Sequence, residues 1–276
     1  DGLQLYFCSG AVGTTGTNDL WVATRASTND AWNTAQNLGA TLNTEYNEKT
    51  PILSTAGLSL YFSSDRPGGF GSFDIWVSMR TTPNGPWGEP VNLGPIVNSG
   101  YDESDPALSS DGLSLYFSEY GIWPNHQFRP GGFGESDIWV STRSTKDSPW
   151  TEPTNLGETV NSPSGDYIGD ISDDGLVLFL YSNREGSLGT WVWEDLYMAQ
   201  RTTTSDPWGI PVNLGENVNT GGIQFASDIS ADGSTFFWNS WPTVEGQLDI
   251  YQVSILPIVD FNDDGNVDAQ ALAMLA

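Results

Sequence analysis

Acidic side chains recur along this chain in a pattern that could accept hydrogen bonds, hold a cation or supply an acid and a base. They stand at equivalent places, 55 to 63 residues apart, with a glutamine at the last place. The set comprises Glu48, Glu103, Asp166 and Gln224, with Asp102 and Asp105 beside the second member. Converging carboxylates could bind sugar hydroxyls, coordinate calcium or hydrolyse a glycosidic bond.

Tryptophans and the only histidine mark places where the chain departs from its internal repeat. Trp123 and His126 lie in a loop that is eight residues longer than its counterpart, Trp191 and Trp193 occupy the same loop one copy later, and Trp241 occupies it in the last copy. Indole rings can stack on sugars, and an exposed loop tryptophan otherwise costs solubility. We expect these rings and the acids to share one loop-rich face. The alternative is that the indoles pack the rim and the acids form a solvated ring.

The internal repeat predicts the fold. An Asp-Gly or equivalent turn opens each of five copies, at Gly2, Gly57, Gly112, Gly175 and Gly233. Each turn precedes an apolar string such as LYF and a second strand such as DIWV, and the first four copies continue with a tryptophan turn and an NLG segment. Short runs rich in β-branched and aromatic residues indicate strands. Four antiparallel strands per repeat are typical of propeller blades. We therefore predict an all-β, five-bladed β-propeller of four-stranded antiparallel blades over residues 1–256.

The two ends of the repeat leave ring closure open. The first copy lacks its innermost strand and the fifth lacks its outer strand. Either a few preceding residues complete the first blade, or the ring closes unconventionally.

Recurrence at equivalent positions favours structural roles for most of the charged residues. One arginine recurs just after the second strand of a copy and another in the turn before it, which predicts ion pairs or backbone contacts. These are Arg25, Arg80, Arg143 and Arg201, and Arg66, Arg129 and Arg184. An aspartate precedes each second strand and is predicted to cap the turn. These are Asp19, Asp74, Asp137, Asp195 and Asp249.

Residues 60–77 (LYFSSDRPGGFGSFDIWV), together with PVNLG at 90–94 and SSDG at 109–112, resemble the TolB-like, or WD40-like, propeller repeat. The resemblance covers residues 1 to about 255. It implies a binding or scaffolding platform in a bacterial envelope or extracellular protein.

The segment 257–276 carries a second resemblance, to the first calcium loop of a dockerin, which is related to the EF-hand. The implied Ca²⁺ ligands are Asp260, Asn262, Asp264, Asn266 and Asp268, with Gly265 at the sharp turn. Position 12 is Ala271, where an acid is expected, and no second loop follows. The resemblance implies an extracellular protein tied to surface or polysaccharide assemblies. The alternative is a solvated acidic linker.

Charge excludes several classes of partner. The chain has 9 basic and 35 acidic residues and a net charge of −26. That balance argues against nucleic acid and anionic membranes, and the sequence has no apolar run long enough to insert into a bilayer. Cys8 is the only cysteine, so no internal disulfide forms, and one cysteine with one histidine makes a poor zinc site.

Three functional hypotheses follow. The first is a binding module that recognises a polysaccharide or a protein, with calcium as a candidate cofactor. The second is a glycoside hydrolase of the five-bladed arabinanase type, in which Glu48, Glu103 and Asp166 would be the catalytic acids. The acids occupy a repeated position, whereas catalytic acids need distinct environments, so we lean against an enzyme. The third is a scaffold that only docks a protein partner.

Overall fold

A computed structural model describes residues 2–10, 13–121, 128–187, 194–219, 223–230, 235–241 and 249–254. Every helix or strand assigned in these ranges is a β-strand, and the strands form five antiparallel sheets. The fold is a five-bladed β-propeller, as the repeat predicts. The chain divides into two compact units, Asp1–Gly131 with Trp139–Asn155, and Gly132–Ile138 with Leu156–Ala276.

The first unit contains three blades. Blade 1 is β1 (Gln4–Ser9), β2 (Asp19–Thr24) and β3 (Gln36–Asn37). Blade 2 is β4 (Glu48–Leu53), β5 (Ser59–Ser64), β6 (Asp74–Met79) and β7 (Val91–Asn92). Blade 3 is β8 (Asp102–Leu108), β9 (Ser114–Tyr120), β10 (Asp137–Thr142, whose first two residues belong to the second unit) and β11 (Thr154–Asn155).

The second unit contains two blades. Blade 4 is β12 (Asp166–Ile171), β13 (Val177–Ser182), β14 (Asp195–Gln200) and β15 (Val212–Asn213). Blade 5 is β16 (Ile223–Ile229), β17 (Thr235–Trp241) and β18 (Asp249–Ser254). Within the described residues, blades 1 and 5 have three strands each and the others have four. The three-stranded blades are therefore the two terminal copies of the repeat, for which the sequence analysis left ring closure open.

The apolar strings form strands because their side chains are buried between neighbouring sheets. In the first unit one cluster is built around Leu20, Leu60 and Phe62, and another around Tyr61, Ile75 and Phe117. In the second unit the cluster contains aromatic residues of blades 4 and 5, including Phe179 and Phe236. The strand Ser59–Ser64 is apolar or small on both sides because both of its faces are buried.

The repeated turn fixes the register of each hairpin. Gly57 has φ +69°, a backbone conformation that glycine adopts without a Cβ penalty. Its N–H donates to the Ser54 carbonyl, and the Ser54 N–H donates to the Ser59 carbonyl. The carbonyl of Gly57 also accepts a bond from Arg80 Nε at 2.7 Å, and the Arg80 guanidinium lies 4.1 Å from the Trp87 ring centre.

The inner strands of blades 2 and 3 carry a bulge with strained backbone. Thr50 has φ +46° and Asp105 has φ +51°, at equivalent positions in β4 and β8. The register of each strand shifts there. A β-branched residue in this region is an outlier, so the packing around Thr50 must impose the conformation.

Candidate functional site

The three repeated acids are buried side chains with several hydrogen-bond partners each. Glu48, Glu103 and Asp166 are fully buried at the start of β4, β8 and β12. Each accepts hydrogen bonds from the backbone N–H and hydroxyl of a residue four positions earlier. Those residues are Thr44, Ser99 and Ser162. The carboxylates therefore hold together the loop that enters their own strand.

An arginine completes each of these sites. The salt-bridge distances are 3.1 Å for Arg66 to Glu48, 2.6 Å for Arg129 to Glu103 and 2.5 Å for Arg184 to Asp166. The same guanidinium nitrogen donates to a carbonyl, that of Leu42, Val97 or Val160 respectively. We call these three contacts the carboxylate–arginine pairs. Burial raises the pKa of Glu103, while Ser99 and Arg129 oppose that shift.

The pairs change the interpretation of the repeated acids. The acids do not form the solvated ring that was the alternative, because each has an internal arginine partner. The predicted structural role of the arginines is confirmed. Arg66, Arg129 and Arg184 form ion pairs, and Arg25, Arg80, Arg143 and Arg201 contact backbone carbonyls at 2.7 to 2.8 Å.

The turn-capping role predicted for the repeated aspartates is confirmed where their contacts are described. The Asp74 carboxylate accepts backbone N–H bonds from Phe70 and Gly71 and a side-chain bond from Asn92. Sequence reasoning missed the next member of this network, Asn98, whose side chain bonds both the N–H and the carbonyl of Ile75. The same asparagine recurs as Asn43, Asn161 and Asn219. Its regular place six residues after the NLG asparagine was the available signal.

The two acids near Glu103 have different surroundings. Asp102 is half-buried and accepts bonds from the Ser72 and Phe73 N–H groups at 3.1 and 3.2 Å. Burial raises the pKa of its carboxyl group, and these two backbone donors oppose the shift. Asp105 is buried and accepts a 2.7 Å bond from the Tyr120 hydroxyl. Its neighbour Ser104 donates to the other carboxylate oxygen at 3.3 Å.

A polar group that breaks the repeat lies beside Asp105 in the first unit. Lys49, Thr50 and Cys8 belong to it, and the ammonium of Lys49 lies 4.4 Å from the Phe73 ring centre. Burial raises the pKa of the Cys8 thiol, with a bond from the Thr50 backbone and the charge of Lys49 opposing it. This set combines a cation, a carboxylate, hydroxyls and an aromatic ring, which is a composition suited to a polar neutral ligand.

The second unit contains a carboxyl pair that sequence analysis did not single out. Asp170 in β12 is buried, and its side chain hydrogen-bonds that of the half-buried Asp228 in β16. Asp170 also accepts the Ile229 N–H at 3.2 Å. Burial, followed by the charge of Asp228, raises the pKa of Asp170 well above its usual range. A signal was present in the sequence. The equivalent position holds the apolar Ile52 and Ala107 in blades 2 and 3 but an aspartate in blades 4 and 5.

Most of the predicted loop residues lie outside the described part of the chain. Trp123, His126, Trp191 and Trp193 belong to this group, as do the predicted calcium ligands from Asp260 to Asp268. Trp241 ends β17. Gln224 is buried and donates to the Ser240 hydroxyl at 3.1 Å. Among the residues described, no group of three or more His, Cys, Asp or Glu side chains could hold a metal ion. None of the described segments forms a helix long and apolar enough to cross a membrane.

Comparison with known proteins supports the fold alone. No protein-family model matches the chain, and no curated protein is similar to it in sequence. Among solved structures, the endo-arabinase from Bacteroides thetaiotaomicron has a TM-score of 0.55 at 14% identity, over 92% of this chain and 95% of that one. The α-L-arabinofuranosidase from Lactobacillus brevis has a TM-score of 0.56 at 12% identity, over 95% and 88%.

Two further structures match only part of a longer chain. This chain spans about half of the Hadza microbial sialidase, with 52% of that protein and 86% of this one covered, at 13% identity and a TM-score of 0.51. A putative TolB from Agrobacterium tumefaciens has a TM-score of 0.46 at 19% identity, over 80% of this chain and 62% of that one. The TolB-like resemblance therefore rests on the repeated strings of the sequence.

Proposed function

We propose that this chain is a glycan-binding propeller module that does not hydrolyse its ligand. One observation carries the choice between binding and hydrolysis. The three acids that would have served a hydrolase are each buried and bonded to an arginine and to backbone and hydroxyl donors. A glycosidase needs one carboxyl group that donates a proton and a second that reaches the sugar or a water molecule. Carboxylates committed to internal partners are poorly placed for either task.

The ligand class is argued from chemistry and from the structural neighbours. The ammonium of Lys49 offers a hydrogen-bond donor beside the ring of Phe73, and the loop indoles would add surfaces for stacking. An exo-β-1,3-galactanase from Phanerochaete chrysosporium, with a TM-score of 0.55 at 14% identity over 93% of this chain and 58% of that one, joins the arabinan-active enzymes among the neighbours. Arabinan and β-1,3-galactan are therefore the first polymers to test.

Affinity electrophoresis tests this proposal. Native gels would contain arabinan, β-1,3-galactan, xylan or laminarin, with calcium present. We expect the wild type to be retarded by at least one polymer and to release no reducing ends from it. Release of reducing ends that Glu103→Gln abolishes while retaining retardation would contradict the binding-only proposal. Thermal melting would confirm that this variant is folded.

The loop indoles supply the matched variants. We expect the Trp191→Ala/Trp193→Ala double variant to lose retardation, because stacking surface is lost. Trp32→Ala is the control, since Trp32 stacks under the Arg25 guanidinium at 4.2 Å and belongs to the repeat. Failure of every polymer to retard the wild type would refute glycan binding and favour a scaffold that docks a protein.

We also propose that the chain acts outside the cytoplasm, in a bacterial envelope or extracellular space, and that Ca²⁺ binds its segment 260–268. The support is the pair of sequence resemblances, to TolB-like repeats and to a dockerin loop.

A further inference from the structure

One aromatic position has a different environment in blade 5 than in blades 2, 3 and 4. Trp76, Trp139 and Tyr197 occupy it in β6, β10 and β14 and are 8%, 5% and 4% exposed. Tyr251 occupies it in β18 and is 40% exposed. The register confirms the equivalence, since Trp76 pairs with Phe62 as Tyr251 pairs with Trp238.

The covering group in the other three blades is an arginine. The guanidinium carbon of Arg66, Arg129 or Arg184 lies 5.3, 5.2 or 5.1 Å from the ring centre of the aromatic residue. These are the arginines of the carboxylate–arginine pairs. The sequence contains no arginine after Arg201, so blade 5 cannot supply the equivalent side chain.

The acid of the pair is replaced together with the arginine. Gln224 takes the place of Glu48, Glu103 and Asp166, and it bonds Ser240 at the position of Ser64 and Ser182. A neutral amide in place of a carboxylate no longer balances a cation. The uncovered ring in blade 5 is therefore suited to a neutral ligand rather than to a guanidinium from a partner.

The uncovered ring stands on a rigid aromatic stack. Tyr251 stacks on Trp238 with ring centres 5.7 Å apart and planes 23° apart, and Trp238 stacks on Phe236 at 5.9 Å and 25°. Phe236 is buried and contacts Phe179 at 4.9 Å. A ring held in this way loses little freedom when a ligand stacks on it.

We propose that Tyr251, supported by Trp238, is a sugar-stacking subsite that binds the C–H face of a neutral pyranose or furanose unit. This inference rests on the proposed glycan-binding function and adds a position for one sugar of the polymer. The loss of both the carboxylate and the arginine from this position, together with the exposed ring, favours a neutral sugar over a charged ligand.

The test measures retardation of Tyr251→Ala, Tyr251→Phe and Ile250→Ala in gels that contain arabinan or β-1,3-galactan. Ile250 is the matched control because it is 43% exposed in the same strand and points to the opposite face of the sheet. We expect Tyr251→Ala to weaken binding about tenfold, as for the loss of one aromatic contact. Tyr251→Phe and Ile250→Ala should retain the affinity of the wild type, with all variants melting as cooperatively as the wild type.

Three outcomes overturn the subsite and differ in what else they refute. If the wild type is retarded and Tyr251→Ala is retarded equally, the subsite is wrong and the glycan-binding function stands. If no polymer retards the wild type, both proposals fail. A labelled hexa-arginine peptide serves as the cationic probe. Loss of its binding in Tyr251→Ala, with polysaccharide binding unchanged, would assign the ring to a cationic partner and overturn the proposal.

Discussion

At the scale of single residues, the carboxylate–arginine pairs decide which acids are structural. Arg129 reaches Glu103 across 26 positions of sequence, and both side chains are largely removed from solvent. A buried ion pair gains little over a neutral substitute, but removal of one partner leaves an uncompensated charge. The neutral Gln224 in blade 5 illustrates the substitute that the fold accepts.

We predict that Arg129→Met lowers the free energy of unfolding by about 3–5 kcal/mol, because Glu103 stays buried without its counter-ion. The Glu103→Gln/Arg129→Met double variant should lose clearly less than the sum of the two single variants. Urea denaturation of the four proteins measures the coupling. Additive losses would show that the pair is not coupled and would reopen Glu103 to a role in a ligand site.

The Asp170–Asp228 pair predicts a pH dependence of stability. Both pKa values are raised in the folded protein, so the folded state retains a proton that the unfolded chain releases above about pH 4. Stability from this source is fully present at acid pH and is lost as the pH rises towards the raised pKa of the pair, by up to about 1.4 kcal/mol per pH unit. Asp170→Asn removes the titrating group. Its free energy of unfolding, compared with that of the wild type at the same pH, should therefore increase as the pH rises from 5 to 8.

The control for this series is Asp111→Asn. Asp111 is exposed, and its pKa is lowered by the Ser109 hydroxyl, so its contribution changes only at more acid pH. Its difference from the wild type should stay constant from pH 5 to 8 in thermal or urea unfolding. A similarly constant difference for Asp170→Asn would mean that the pair does not share a proton in the folded state.

At the scale of strands and turns, the sequence predicted the fold well because the signals that specify each strand and turn lie close to it in sequence. Short apolar strings, Asp-Gly turns and the aspartate before each second strand each determine structure within a few residues of their own position. The start of β6 at Asp74 and its pairing with β5 follow from such signals. Even the three-stranded form that the two terminal blades have within the described residues could be counted from the repeat.

The candidate site was less predictable because its contacts join distant parts of the sequence. Glu48 is bonded to Arg66 eighteen residues later, and Asp170 meets Asp228 in another strand of the second unit. A one-dimensional pattern gives residue types and spacing but not which side chain turns towards which. One signal was present, since the acid and the arginine both disappear from the fifth repeat. Their joint loss indicates a structural pair.

At the scale of the whole molecule, a net charge of −26 makes self-repulsion a general cost of folding. Salt screens surface charges and leaves the buried carboxylate–arginine pairs almost unaffected. We therefore expect the melting temperature to rise with NaCl between about 10 and 300 mM, a range over which the Debye length falls from roughly 30 Å to below 10 Å. Screening of this kind depends on ionic strength and not on the identity of the ion.

The proposed calcium loop predicts an additional effect that does depend on the ion. At matched ionic strength, CaCl₂ should raise the melting temperature more than MgCl₂ does. The reason is that Ca²⁺ accepts the larger, more flexible set of oxygen ligands that the loop offers. The Asp264→Ala variant should abolish that difference and keep the response to NaCl. Equal responses to the two cations in the wild type would attribute the whole effect to screening and remove calcium from the account of this protein.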